Sequence, residues 1–88
     1  MKYIYKYKLA IEDNPVIAMP VGAKTISAGG QNGELVIWAE VDLPGENRDR
    51  YFVILGTGME IPCRPIRFIN TVQMKNGLVW HVYEVGTK

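Results

Sequence analysis

The sequence predicts an all-β, or nearly all-β, fold: about seven short antiparallel strands in a small sandwich or barrel, with two Asn-Gly hairpins. Three observations carry this expectation. Asn32-Gly33 and Asn76-Gly77 each separate two strand-like runs. Asn-Gly suits a type I′ turn, which needs positive φ at both central residues. Tyr51-Phe52-Val53-Ile54-Leu55 is continuously apolar and too short for a helix, so it reads as a central strand covered on both faces. No segment sustains a helical period.

The 88 residues suffice for one domain, spanning 1–88, with one core. Hydrophobic residues make up 48% and charged residues 22%, which excludes a disordered chain. A net charge of +1 gives no field that would attract a long nucleic acid. Cys63 is the single cysteine, so there is no internal disulfide and a cytoplasmic location is expected. No stretch is long and apolar enough to span a bilayer, and the alternating start Met1 to Lys6 is not expected to be a signal peptide. A membrane partner is therefore not expected. A small chain without disulfide or metal is commonly stabilised by self-association, so a homo-oligomer is expected.

Lys2 to Ala10 alternates with period two. Tyr3, Tyr5, Tyr7 and Leu9 point one way, and Lys2, Lys6 and Lys8 point the other with Ile4 among them. This predicts a half-buried strand whose lysines guard an edge or form a basic stripe for an anion. Glu12 to Pro15 is a turn, and Val16 to Met19 a short strand stopped by Pro20 and Gly22. The Asn32-Gly33 hairpin sets Gln31 opposite Glu34, Ala28 opposite Ile37, Ser27 opposite Trp38 and Ile26 opposite Ala39. Ile26, Ala28, Leu35, Ile37 and Ala39 then share one face. Gly29 or Gly30 could host a bulge. Asp42 to Arg50 reads as a polar loop around Pro44-Gly45, and Gly56-Thr57-Gly58 ends the central strand. Glu60 to Pro65 reads as a loop or crossing connection with room for one helical turn. The last hairpin, Phe68 to Val85, sets Met74 opposite Val79, Gln73 opposite Trp80 and Val72 opposite His81. It is expected to be buried on one side and to bind something on the other.

Catalytic and metal-binding residues are not expected. One histidine and one cysteine do not make a zinc site. No activating motif brackets Cys63 as a nucleophile for His81, and no carboxylate pair stands out. The protein therefore reads as a non-enzyme without a cofactor. Binding residues are more evident. Gly56-Thr57-Gly58 is either a tight turn or a nest of N–H donors for an anion. Arg48 and Arg50 precede the central strand, and Arg64 and Arg67 follow it. They are either scattered surface charge or a set of phosphate holders. Trp38 and Trp80 fall on the more polar faces of their hairpins, as a second core layer, an interface or a platform for a ligand ring. Gln73, set opposite Trp80, joins the candidate ligand site.

Several phrases together resemble a family of small phage-encoded proteins of unassigned function. They are Ile4-Tyr5-Lys6-Tyr7, the run Asn32 to Asp42, Gly56-Thr57-Gly58, Thr71-Val72-Gln73 and Val79-Trp80-His81-Val82-Tyr83-Glu84. In that family His-Pro often follows the Gly-Thr-Gly turn, whereas Met59-Glu60 follows it here. The resemblance implies a phage accessory protein acting in the bacterial host cytoplasm. It suggests an inhibitor of antiviral defence that sequesters a nucleotide-derived immune signal without cleaving it. The alternative is a protein-binding inhibitor that uses a sheet edge or an aromatic patch.

Overall fold

The computed structural model describes residues 1–86. Seven strands form, in the order β1 (Lys2–Lys8), β2 (Val16–Pro20), β3 (Lys24–Gln31), β4 (Glu34–Asp42), β5 (Asn47–Gly56), β6 (Ile66–Gln73) and β7 (Val79–Val85). They make two antiparallel sheets, β1-β4-β3 and β2-β5-β7-β6, packed as a sandwich that does not close into a barrel. No helix occurs among the described residues. The residues from Thr57 to Pro65 are the crossing connection. They join β5 to β6, which run in the same direction on either side of β7. The predicted polar loop is shorter than expected, because Asn47 to Arg50 extend β5 alongside β2.

The first Asn-Gly hairpin behaves as predicted near its turn. Asn32 and Gly33 both have positive φ, and Gln31 to Ser27 pair with Glu34 to Trp38 in the expected register. Further out, the register shifts between Thr25 and Ser27. The bulge lies at Ile26, not at Gly29 or Gly30. Thr25 therefore opposes Ala39 and is buried, while Ile26 is turned outward and exposed.

The second hairpin departs from its predicted register by one residue. Val72 opposes Trp80, Thr71 opposes His81 and Gln73 opposes Val79. Met74 N–H donates to the Leu78 carbonyl at 2.8 Å, and Gly77 N–H to the Met74 carbonyl at 3.0 Å. Three residues thus form the loop. Gly77 alone among them has positive φ, and the Asn76 side chain accepts from Leu78 N–H at 3.0 Å. A one-residue slip moves every side chain of a strand to the opposite face relative to its partner. Here it turns Trp80 toward the core beside Val72 and Val82.

Two apolar layers meet in the core. Ile37, Ala39 and Val41 of β4 and Ala28 of β3 face Met19, Phe52, Val72 and Val82 of the other sheet, with Leu9 and Leu35 filling the same cluster. Asn70 ties the sheets together at the β3/β6 corner. Its side-chain oxygen accepts from Ala28 N–H at 2.6 Å, and its amide donates to the Ala28 carbonyl at 2.8 Å. The side chain thus replaces the neighbouring strand that β3 lacks on that side.

Strand β1 is not half-buried as expected. It lies at the end of the three-stranded sheet with β4 as its only hydrogen-bonded neighbour, and every residue but Tyr7 is exposed.

Candidate functional site

A cluster of charged side chains lies at one end of the sandwich. The β2–β3 turn (Val21, Gly22, Ala23) and the ends of β5, β6 and β7 enclose an open hollow of about 490 Å³. Arg48, Arg50 and Arg67 line it, together with Asp49 and Glu84. Strand phase delivers Arg48, Arg50 and Glu84. On β7, Trp80, Val82 and Glu84 share the inward face, so the last of them carries a carboxylate into a core position. Arg50 lies two residues from the buried Phe52 on β5 and points the same way.

Arg67 reaches this face because of a second bulge. The β6–β7 register shifts between Phe68 and Asn70, so Arg67 opposes Glu84 while Asn70 opposes Val82. Had β6 alternated regularly through Ile69, Arg67 would share the outward phase of Thr71.

The geometry centres on Glu84, whose side chain is only 8% exposed. Arg50 Nε donates to Glu84 Oε2 at 2.6 Å, and Arg67 Nη2 donates to Glu84 Oε1 at 3.1 Å. Arg50 Nη1 also donates to the Ala23 carbonyl at 2.8 Å, which fixes the turn against the sheet. A buried carboxylate is tolerated only when paired and hydrogen-bonded, and both of its oxygens are satisfied here. Among the described residues Arg48 has no ion-pair partner. Three guanidinium groups against the carboxylates of Asp49 and Glu84 leave the hollow with a surplus of one positive charge.

The remaining predicted site residues lie elsewhere. Gly56-Thr57-Gly58 follows the far end of β5, where Gly56 opposes Trp80, whereas Glu84 opposes Phe52. Four residues of strand separate the two levels, about 13 Å. Trp80 is half-buried against the core with its indole nitrogen buried, and it does not line the hollow. Gln73 is exposed at the same end, opposite Val79. Trp38 lies on the outer face of the other sheet between Lys6 and Ser27, its ring over Gly29. Arg64 bonds the Asn14 side chain at 2.5 Å and does not join the hollow. The predicted ten residues therefore do not form one site within a single chain: Arg48, Arg50 and Arg67 converge on the hollow, and Gly56-Thr57-Gly58, Gln73 and Trp80 gather at the opposite end.

Two features escaped the sequence reading. Glu84 carried a legible signal, a carboxylate two residues beyond the apolar Val82 in a strand of alternating phase. The other is a relay on the outer face of the larger sheet. Thr57 Oγ1 lies 2.8 Å from His81 Nε2, and Thr71 Oγ1 lies 2.9 Å from His81 Nδ1. Both ring nitrogens are thus engaged by hydroxyls. This fixes the imidazole and anchors the Gly-Thr-Gly turn, with no carboxylate to orient the ring as a base. Cys63 is exposed in the crossing connection. Among the described residues no group of three or more His, Cys, Asp or Glu side chains is placed to hold a metal ion. Among the described residues no helix is long and apolar enough to cross a membrane.

No curated protein and no solved structure matches the chain. A family model matches residues 1–88, and the chain belongs to that family, described as a domain of unknown function, DUF7352.

Proposed function

We propose that the protein is a non-enzymatic binder that captures a small phosphorylated ligand in the arginine-lined hollow. One observation carries this reading. Arg50 and Arg67 grip the two oxygens of the same buried carboxylate, with Arg48 unpaired beside them. That arrangement holds guanidinium groups in fixed positions at the wall of an open hollow with surplus positive charge. Guanidinium forks bind phosphate oxygens through charge-assisted hydrogen bonds of defined geometry. Arg48, exposed and unpaired, and the donors of the exposed Arg67 that Glu84 does not engage face the ligand, while Arg50 is committed to Glu84 and Ala23.

The resemblance to small phage proteins supports a nucleotide-derived immune signal as the ligand, sequestered in the host cytoplasm. The tryptophans do not line the hollow, so a base would have to be held by other groups or by a second copy in a homo-oligomer. Phosphate recognition is the part of the reading that one chain can supply.

Calorimetry with inorganic phosphate, pyrophosphate and a panel of linear and cyclic nucleotides tests it. Binding should weaken as salt rises. Arg48→Ala and Arg67→Ala should weaken it further and flatten the salt dependence. Denaturing the loaded protein should return the ligand intact; recovery of a cleaved product would overturn the non-enzymatic part. If no anion binds even at high micromolar concentration to the folded protein, the hollow is a structural ion-pair site and the reading fails.

A further inference from the structure

The sandwich has four sheet-edge strands, and three are protected. β3 is bracketed by Asn70 of the other sheet through both backbone groups of Ala28. β6 is interrupted by its bulge at Ile69 and packs beside β3. β2 is five residues long, follows Pro15 and ends on Pro20. Bulges, prolines, short length and edge lysines are the usual ways of blunting an edge.

β1 has only the lysines, which repel a basic strand and leave the edge open to an acidic one. It is seven residues long, pairs with β4 in one unbroken register from Lys2 to Lys8, and contains no proline or glycine. One of its faces carries the ladder Tyr3-Tyr5-Tyr7, whose ring centroids lie 6.2 and 6.3 Å apart. Tyr3 and Tyr5 remain 44% and 40% exposed. The other face carries Lys2, Ile4, Lys6 and Lys8.

The charge on this edge selects the occupant. Among the described residues Lys8 pairs with Glu34 at 2.9 Å, Lys6 hydrogen-bonds the neutral Gln31, and Lys2 has no ion-pair partner. Asp42, opposite Lys2, is held by the Met1 ammonium at 3.1 Å. A second copy of β1 fits poorly. Every central antiparallel register that keeps the tyrosine faces together sets lysine against lysine: Lys2 against Lys8, Lys2 against Lys6, or Lys6 against itself. Like charges directly opposite are destabilising.

We infer that β1 is a docking edge for an extended acidic segment of another protein. That segment would add as a further strand, with carboxylates alternating opposite the lysines and apolar or aromatic side chains on the tyrosine ladder. Backbone hydrogen bonds would supply affinity, and the alternating pattern specificity. This inference is independent of the arginine hollow.

Three synthetic peptides test it on the full chain: one alternating Glu with Val and Tyr, its Lys counterpart, and the acidic composition with the alternation broken. Fluorescence anisotropy should show the alternating acidic peptide binding about tenfold more tightly than either control, a difference of ~1.4 kcal/mol. Hydrogen exchange should slow at β1 amides and leave the hollow unchanged. The exposed double change Lys2→Glu and Lys6→Glu should invert the preference in favour of the basic peptide. Tyr5→Pro should abolish binding, and the charge reversal keeps the test valid if that variant fails to fold. Equal binding of all three peptides, protection away from β1, or self-association that protects β1 would each overturn the inference.

Discussion

Glu84→Gln is the most informative single change, because it separates the buried half of the arginine cluster from its exposed half. The substitution keeps side-chain size and one acceptor, and removes the charge that Arg50 and Arg67 share. Arg50 is 21% exposed and Arg67 58%. Breaking a fully buried ion pair by removing one partner costs about 3–5 kcal/mol, because the other charge is left stranded. The hollow is open, so water can partly reach Arg50, and about 2–3 kcal/mol is the better expectation for its share. Arg67 is mostly solvated, and its contact with Glu84 should contribute less than about 1 kcal/mol. Glu84→Gln should therefore lower stability by about 2–3 kcal/mol, and Arg67→Ala by less than about 1 kcal/mol. For a domain of this size the former corresponds to a fall in Tm of roughly 10–20 °C.

The measurement is urea unfolding followed by tryptophan fluorescence in phosphate-free buffer, then repeated with phosphate. A ligand that binds the folded state stabilises by RT ln(1 + [L]/Kd). Removing the internal carboxylate removes the anion that competes with phosphate, so added phosphate should stabilise Glu84→Gln more than wild type. Equal losses for Glu84→Gln and Arg67→Ala would refute the claim that Arg50 carries the desolvated interaction. Larger phosphate stabilisation of wild type would refute the view that Glu84 occupies charge the ligand would otherwise neutralise.

Three other outcomes follow from the geometry. Asn70→Ala should cost about 2–4 kcal/mol in urea unfolding, because the Ala28 N–H and carbonyl both lose their partner; Asn70→Asp, which keeps the acceptor alone, should fall between it and wild type. Gly29→Ala would set a Cβ 2.8 Å from the Trp38 ring, so the ring must swing off the sheet at a cost of about 1–3 kcal/mol, visible as a red shift in fluorescence. Burial pushes the Tyr7 phenol above its usual value, and neighbouring Tyr5 adds to this. The folded state then holds that proton to higher pH than the unfolded chain, so stability should fall as pH rises beyond about 10; Tyr7→Phe should make that fall shallower in unfolding curves.

Much of the fold was legible because period-two patterning and turn chemistry act locally. Asn32-Gly33 shows this well: both residues take positive φ, and the pairing follows out to Ser27 and Trp38. Asn76-Gly77 presents the same dipeptide and misleads. A two-residue turn there would have set Trp80 opposite Gln73. The three-residue loop sets it opposite Val72, beside Val82 in the core. Burying the large indole favours the slipped register, and the Asn76 side chain supports the loop by accepting from Leu78 N–H. Local preference for a type I′ turn was outweighed by tertiary packing.

The candidate site was only partly legible for a related reason. Arg48, Arg50 and Arg67 were visible as arginines flanking a central strand, but what brings Arg67 to Glu84 is the bulge at Ile69. The other bulge, at Ile26, likewise turns Thr25 into the core and Ile26 out of it. Neither position holds the glycine that usually marks a bulge in sequence. Both are isoleucines, which read as ordinary strand residues. Each bulge reverses the phase of the residues beyond it, so a pattern read from the turn is sound only as far as the bulge. On β6 the reversal shapes the hollow as well as the packing. It converts an arginine that period two would send to solvent into the second guanidinium on a buried carboxylate, and so builds the wall of the hollow.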